Sequence, residues 1–228
     1  MRTLLRLIAP CLLLILPLTA QVTTFYGIDP GVGPGQAAPN SIAAATAFAN
    51  GVGVAGFTTH LIDFEGLPTG SFTSLDAGGG VTITLTNNDS GAGILNTSGS
   101  AVLGYNTTPG GAKYLRVVPI FGTPTAIATF SFATPIQAFG ANITGLETFS
   151  GVLHVIFMDG TNQDLPVAGS NGGGRLFFGF SDPGLVAISS VVLELEGVTS
   201  SLRDVFAVDD VSFTDAAPDL FFLWFFFS

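Results

Sequence analysis

The sequence predicts an all-β protein, built as an antiparallel sandwich or barrel. Residues that favour strands and turns, such as Gly, Thr, Val, Ile and Phe, are abundant, whereas Lys is scarce. Short strand-like runs follow one another at steady spacing, with Gly-rich turns between them. No helical segment separates these runs, as a parallel sheet would require. Residues 57–215 are therefore assigned to one jelly-roll-like β-sandwich domain, a size that is normal for this fold.

The first 20 residues have the pattern of a secretory signal peptide. Arg2 and Arg6 make a positive start, residues 7–18 are apolar apart from two prolines, and Ala20 offers a small residue at the cleavage point. The alternative is a membrane anchor, but this run is shorter than the roughly 20 residues that a spanning helix needs. The sequence therefore predicts a secreted protein, either extracellular or held at the cell surface.

Removal of this signal peptide leaves a strongly acidic chain without cysteine. The single cysteine, Cys11, lies within it, and the loss of Arg2 and Arg6 takes the formal net charge from −10 to −12. A mature chain of this kind has no disulfide, and its charge excludes nucleic acid as a partner because phosphates require Lys and Arg. The same charge suits calcium and a polar extracellular matrix.

Residues 21–56 are predicted to be a Pro/Gly-rich leader with one short helix. Prolines and glycines crowd residues 27–39. Asn40 or Ser41 then caps an Ala-rich helix that continues through Ala49 and ends at a following Asn-Gly pair. Because no strand is predicted before residue 57, the sandwich is expected to fold without this leader.

Nine strands are predicted along the remaining chain. Residues 81–86 alternate cleanly, which puts Val81, Ile83 and Leu85 on one face. The Asp-Gly pair at residues 159–160 is a strong hairpin signal. The full set comprises residues 61–66, 81–86, 114–118, 126–132, 136–143, 152–158, 175–180, 186–196 and 205–213.

The first and last of these strands carry carboxylates, which are unusual inside strands. Asp63 and Glu65 alternate and are expected on one face, whereas Asp209 and Asp210 are expected on opposite faces. Few basic residues are available to pair with them. A calcium ion would neutralise these carboxylates, since that cation prefers oxygen ligands. The alternative is that they accept backbone N–H groups at strand ends.

The acidic strands resemble those of known families. Residues 63–68, Asp-Phe-Glu-Gly-Leu-Pro, resemble the opening strand of MAM domains and of exported bacterial sandwich proteins, and residues 207–213, Ala-Val-Asp-Asp-Val-Ser-Phe, resemble their closing strand. Over about residues 40–213 the chain is similar to secreted PEP-CTERM proteins of bacteria that make exopolysaccharide. The resemblance implies a jelly-roll sandwich with one structural calcium ion, held by Glu65 and Asp210 with Asp209 as the alternative.

The C-terminal tail, residues 216–228, departs from the PEP-CTERM pattern. That group carries Pro-Glu-Pro, a long apolar span and a basic cluster, whereas here Ala-Pro-Asp at residues 217–219 precedes a short apolar run at residues 220–227. This run is too short to span a bilayer. It is interpreted as an unstructured end, an interfacial segment, a cover for a sheet edge or the remnant of a longer segment. Membrane contact is expected only through this tail.

Catalytic motifs are lacking. The sequence has two histidines, His60 and His154; His154 lies mid-strand and is interpreted as a packed or rim residue, and no Gly-x-Ser-x-Gly elbow is present. A glycosidase could still use two carboxylates without a local motif.

Amphipathic aromatic side chains could stack on sugars, and Tyr105 with Asn106 lies in a Gly- and Thr-rich loop suited to that contact. The favoured alternative is that this segment is an ordinary surface loop. The sequence predicts a non-enzymatic protein that binds carbohydrate or associates with an exopolysaccharide matrix and is stabilised by calcium. The alternatives are a purely structural extracellular protein and, less favoured, a glycan-active hydrolase. The stacking candidates are Tyr26, Tyr105, Tyr114 and Trp224.

Overall fold

The computed structural model describes residues 22–54, 58–121, 123, 125–147, 150–181, 187–195 and 204–215. The predicted signal peptide and the C-terminal tail lie outside these residues. Within them the chain forms one helix, α1 (Pro39–Val54), and twelve strands. The strands are β1 (Thr23–Pro30), β2 (Thr59–Ile62), β3 (Ser74–Asp76), β4 (Val81–Thr86), β5 (Gly93–Asn96), β6 (Lys113–Val117), β7 (Ala126–Thr144), β8 (Ser150–Phe157), β9 (Asn162–Ala168), β10 (Gly174–Ser181), β11 (Ile188–Leu195) and β12 (Phe206–Asp215).

The strands pair in two layers, and every pairing is antiparallel. The first layer has the order β3-β4-β7-β11-β8-β9. The second has the order β1-β10-β7-β12; β2 and β6 pair with the other edge of β12, and β5 pairs with β6. The prediction of a mostly β, antiparallel protein is confirmed.

Strand β7 belongs to both layers because its two halves pair with different strands. Residues 126–132 lie between β4 and β11, and residues 138–144 lie between β10 and β12. Pro135 lies between the halves, where its missing N–H group interrupts no pairing that either half needs. The sequence predicts two separate strands here, and the structure joins them into one.

One hydrophobic core fills the space between the layers. The ring of Phe139 lies 5.5 Å from that of Phe130 and 6.1 Å from that of Phe180, and Phe132 lies 5.3 Å from Phe213. The predicted inward face of β4 is confirmed, since Val81, Ile83 and Leu85 are all buried. Two antiparallel layers that share one core form a β-sandwich. The jelly-roll connectivity stays a prediction.

Helix α1 covers one end of the second layer on its outer face. Phe48 of the helix packs against Ala138 of β7 and Phe177 of β10, and its ring lies 5.6 Å from that of Phe177. The helix covers Ala138 on this outer face and the core covers the inner face, and residues 137–144 of β7 are all buried.

Glycines on three adjacent strands let the helix approach the sheet. A Cβ atom at Gly27 would lie 2.2 Å from the carbonyl oxygen of Asn40, and one at Gly140 would lie 2.7 Å from the Phe177 ring. Gly179 faces Gly140 across the β10–β7 pair, and its Cβ atom would lie 3.0 Å from the Phe48 ring. These positions therefore require glycine for contact rather than for turning.

The helix begins where Asp29 of β1 caps it. Asp29 Oδ1 accepts hydrogen bonds from the backbone N of Asn40 (3.1 Å) and from its Nδ2 (2.9 Å), and Oδ2 accepts one from Ser41 N (2.8 Å). Burial disfavours the charged carboxylate, but these bonds outweigh it and lower the pKa of Asp29. The sequence predicts Asn40 or Ser41 as the cap, whereas both residues are donors to a cap from a neighbouring strand.

The prediction that no strand precedes residue 57 is wrong. Strand β1 pairs along its whole length with β10, from Thr23 opposite Ser181 to Pro30 opposite Gly174. The prolines and glycines that indicate a leader have other roles, since Gly27 lies beneath the helix and Pro30 ends the strand. The helix also continues to Val54, beyond the predicted end. The segment assigned to the leader is thus part of the sandwich.

Three further strands, β3, β5 and β9, are absent from the sequence prediction. Strands β3 and β5 span only 3 and 4 residues. Strand β9 contains Pro166 and pairs only with β8, so it is an edge strand that tolerates proline. The hairpin predicted at residues 159–160 is confirmed, with Gly160 at a φ of +82° between β8 and β9.

No helix in the described residues is both long and apolar enough to cross a membrane.

Candidate functional site: a polar cleft on the second layer

The outer face of the second layer is polar at the end that α1 leaves uncovered. Asn142 of β7 lies opposite Asp209 of β12, and Thr144 of β7 lies opposite Arg175 of β10. Residues directly opposite in a sheet share a face, so these four side chains lie together. The cleft loop, residues 105–112 between β5 and β6, covers them.

Tyr105 anchors the start of the cleft loop. Its backbone N donates to Thr144 Oγ1 (2.8 Å), whose hydroxyl donates to the Tyr105 carbonyl oxygen (2.9 Å), and its own hydroxyl donates to the carbonyl oxygen of Val32 (2.8 Å). The side chain is buried, and this burial raises the pKa of Tyr105 to about 12. Tyr105, a candidate for sugar stacking in the sequence, is thus buried, and its side chain joins two loops instead.

Asp209 and Asp210 bind Thr107 and Thr108 of the cleft loop. Asp209 Oδ2 accepts hydrogen bonds from Thr107 N (2.5 Å) and Thr108 N (3.2 Å). Asp210 accepts the two hydroxyl groups, Thr107 Oγ1 on Oδ2 and Thr108 Oγ1 on Oδ1, each at 2.7 Å. The two carboxylates together fix both threonines on the outer face.

The expectation that Asp209 and Asp210 point to opposite faces is wrong because β12 contains a bulge between Asp209 and Ser212, which includes Asp210. The pairing with β7 shifts register at this point, and Asp210 takes the left-handed conformation with a φ of +47°. A bulge of this kind breaks the period of two and re-aims a side chain.

Glu65 binds the cleft loop from the other side. Its Oε1 accepts hydrogen bonds from Asn106 Nδ2 (2.9 Å), Ala112 N (2.8 Å) and Lys113 N (2.8 Å). Lys113 in turn donates through Nζ to the carbonyl oxygens of Glu65 (2.8 Å) and Leu67 (2.7 Å). These contacts join both ends of the loop to the segment after β2.

Asp63 and Glu65 do not share a strand face, as the sequence predicts, because β2 ends at Ile62. Phe64 takes a φ of +62° and turns the chain, and Asp63 Oδ1 accepts a hydrogen bond from Glu65 N (3.1 Å). The side chain of Phe64 is buried in the core, which fixes the turn.

The described residues contain no group of three or more His, Cys, Asp or Glu side chains placed to hold a metal ion. The single oxygen Glu65 Oε1 already accepts three donors, and both oxygens of Asp210 accept hydroxyl groups. Asp209 Oδ1 is buried without a hydrogen-bond partner in the described part of the chain. The contacts fit the alternative that these carboxylates accept hydrogen bonds, and calcium binding stays a prediction.

Asp209 is predicted to make stability fall as the pH rises from about 4 to about 7. Its side chain is fully buried, and burial, together with the neighbouring charge of Asp210, raises the pKa to about 7 from 3.8. The folded protein then holds a proton that the unfolded chain has already lost, so this contribution is complete below pH 3.8 and is lost as the pH passes through 7. Burial acts in the same way on Asp204, whose pKa is also about 7.

In the Asp209→Asn variant, the fall in the free energy of unfolding between pH 4 and pH 7 is expected to be smaller by on the order of 2–4 kcal/mol. The free energy of unfolding in urea, measured across that range, would show it. Asp76→Asn, at an exposed carboxylate whose oxygen accepts only a local backbone N–H, is the control and should keep the wild-type slope. An unchanged slope in Asp209→Asn would mean that Asp209 is ionised in the folded protein throughout.

The cleft itself lies between this loop and two neighbouring loops and encloses about 570 Å³. About half of its lining is polar and comes from loop backbone, hydroxyl and amide side chains and one guanidinium; prolines, an alanine and a tyrosine ring contribute to the rest. The lining contains Asn106, as the sequence predicts for a glycan contact, but the sequence does not indicate Arg175. The lining residues are Gly33, Pro34, Gly35, Gln36, Asn96, Thr97, Ser98, Tyr105, Asn106, Thr107, Thr108, Pro109, Gly110, Gly111, Ala112 and Arg175.

Both histidines lie away from the cleft and pair with carboxylates. His154 Nδ1 lies 2.7 Å from Asp164 Oδ1, and its Nε2 lies 3.1 Å from Glu194 Oε2. Burial disfavours the imidazolium, but these two carboxylates outweigh it and raise the pKa of His154. His60 lies 2.9 Å from Asp215 and stacks on a phenylalanine ring of β12.

Two other aromatic candidates, Tyr26 and Tyr114, do not line the cleft. Tyr114 is buried, with its hydroxyl 2.8 Å from Thr97 Oγ1. Tyr26 is 46% exposed, and its hydroxyl donates to the carbonyl oxygen of Ala168. Trp224 lies outside the described residues.

Comparisons with known proteins give distant structural likenesses only. No protein-family model and no curated protein matches the chain. An exo-beta-agarase is similar over 70% of this chain, with 12% identity and a TM-score of 0.46, and the chain spans 25% of that enzyme's length. A family 29 carbohydrate-binding module from Piromyces equi is similar over 72% of this chain and 93% of its own, with 6% identity and a TM-score of 0.43.

A family 11 carbohydrate-binding module of a cellulosomal cellulase of Clostridium thermocellum is similar over 72% of this chain and 98% of its own. The identity is 12% and the TM-score is 0.39. Likenesses at this level leave the function of the chain to be inferred from the residues of its own cleft.

Proposed function

We propose that this protein is a secreted or surface-held, non-enzymatic β-sandwich that binds an extracellular polysaccharide in the cleft. The observation that carries the proposal is the lining, in which side-chain amides, hydroxyl groups and loop backbone surround about 570 Å³. Sugar hydroxyls both donate and accept hydrogen bonds, and amide and hydroxyl side chains do the same. A concave site with several convergent polar groups is the usual form of a small-ligand or oligosaccharide site.

The titratable groups around the cleft favour binding over catalysis. General acid–base catalysis needs a group that titrates near the working pH within hydrogen-bond reach of the substrate. The titratable lining residues are Tyr105, whose pKa is about 12, and Arg175. Asp209 and Asp210 bind Thr107 and Thr108 and do not line the cleft.

The proposed binding is tested with the protein and a panel of neutral and acidic polysaccharides by affinity electrophoresis or pull-down. Asn96→Ala removes an exposed amide from the cleft and is expected to weaken binding by about 3- to 10-fold, as for one lost hydrogen bond. The matched control is Asn162→Ala, the same change at an exposed position on β9. Failure to bind any polysaccharide would contradict the proposal and favour a purely structural role.

Calcium stabilisation is part of the same proposal, and its support is the group of carboxylates that meets at the cleft loop. If calcium binds there, chelator lowers the melting temperature, and calcium restores it better than magnesium does. At a calcium concentration several times the dissociation constant, the ion adds about 1 kcal/mol to the free energy of unfolding. Glu65→Gln or Asp210→Asn should remove that response. Coincident melting curves with and without chelator would leave Glu65, Asp209 and Asp210 as hydrogen-bond acceptors only.

A further inference from the structure

The lining of the cleft carries a positive charge and no carboxylate. Arg175 lines it, and no Asp, Glu, Lys or His does so among the described residues. The chain as a whole has 16 acidic and 6 basic residues. The charged side chain in this lining is therefore basic, although the chain as a whole is acidic.

The carboxylates near the cleft are turned toward its supporting groups. Asp209 and Asp210 accept the backbone N–H and hydroxyl groups of Thr107 and Thr108, and Glu65 accepts three donors at the ends of the same loop. Asp29, opposite Arg175 on β1, likewise accepts the backbone N–H groups at the start of α1. Each of these acidic groups thus accepts hydrogen bonds from donors of the protein itself. A ligand in the cleft meets the lining before it meets these charges.

Arg175 is held in place and forms no ion pair in the described part of the chain, although Asp29 lies opposite it on β1. Its Nε donates to Asn142 Oδ1 (3.0 Å), and Asn142 Nδ2 lies 3.5 Å from Asp210 Oδ2. The ion pairs of the described residues all involve histidine, so none includes Arg175. The ammonium group of Lys113, by contrast, donates hydrogen bonds to two backbone carbonyl oxygens.

We infer that the cleft binds an anionic polysaccharide, with Arg175 pairing with a carboxylate or sulfate group on the sugar chain; this inference rests on the proposed function. A guanidinium presents a planar fork of donors that matches an anionic group in a bidentate pair. Repulsion by the net negative charge of the protein is screened beyond about 8–10 Å at physiological salt, whereas a contact pair in the cleft is screened much less.

The test compares the affinities of the protein for polygalacturonate, a sulfated galactan and neutral hydroxyethylcellulose in 0.15 M salt, roughly the physiological ionic strength. An anionic polymer is expected to bind at least about tenfold more tightly than the neutral one, and Arg175→Gln should remove that preference. Arg116→Gln changes the net charge by the same amount at a residue outside the lining, so this control variant should keep the preference for anionic polymers. Whichever anionic polymer binds better identifies uronate or sulfate as the group that is recognised.

A second pair of variants avoids any effect of Arg175 on folding. Ser98 is exposed on the cleft wall, so Ser98→Glu should abolish the preference for anionic polymers by placing a like charge there, and Ser98→Gln should keep it. Equal affinity for neutral and anionic polymers, or an Arg175→Gln variant that keeps the preference, would overturn this inference and leave the proposed function standing. Failure to bind any polymer would overturn both.

Discussion

A protein that lacks residues 22–56 is expected to lose cooperative folding and to aggregate. The deletion removes β1 and α1, so β10 becomes an unpaired edge along the eight residues of its pairing with β1. It also exposes Phe177, which is only 2% exposed in the intact domain, together with Ala138 and the glycine surface beneath the helix. The loss is expected to equal most of a typical domain stability of about 5–15 kcal/mol.

Soluble yield, far-UV circular dichroism and urea unfolding would measure this effect. The matched control lacks residues 1–21 only and should keep the full strand signal and one cooperative transition. A shortened protein that still unfolds cooperatively with an unchanged strand spectrum would show that β1 and α1 are dispensable, as the sequence alone predicts.

The second large effect is expected from Phe139→Ala. Phe139 is fully buried in the second half of β7, and its ring lies 5.5 Å from Phe130, 6.4 Å from Phe132 and 6.1 Å from Phe180. Truncation removes the contacts between rings from both layers and leaves a cavity that the surrounding strands cannot close. The free energy of unfolding is expected to fall by about 3–5 kcal/mol.

Leu61→Ala is the control for this change because Leu61 is 60% exposed on β2. Its effect is expected to stay within about 0.5 kcal/mol. Denaturant midpoints at constant slope would measure both variants. A loss below about 1 kcal/mol in Phe139→Ala would mean that the core around β7 repacks freely.

The sequence predicts those elements whose signal is local. Strand β4 and the hairpin at residues 159–160 follow from alternation and from an Asp-Gly pair, and both are confirmed. Strand β1 is missed because Gly27 serves contact with a helix that only the folded chain brings there. A local rule cannot distinguish that glycine from one in a turn.

The cleft is predictable only in part for a related reason. The sequence identifies Glu65, Asp209 and Asp210 as unusual and Asn106 as a candidate contact, and the structure brings all four to the cleft loop. The orientation of Asp210 depends on a bulge, and the position of Arg175 depends on the pairing of β10 with β7. Both depend on pairing between segments that are distant in the chain.

The shared strand β7 limits how fast the two layers of the sandwich can separate. Because its two halves provide a central strand to each layer, neither layer can separate from the other without breaking hydrogen bonds of the same strand. The amide hydrogens of residues 138–144 lie between two partners, and these residues are all buried. Their exchange with solvent deuterium should therefore require global unfolding, while the edges at β3 and β9 exchange through local fraying.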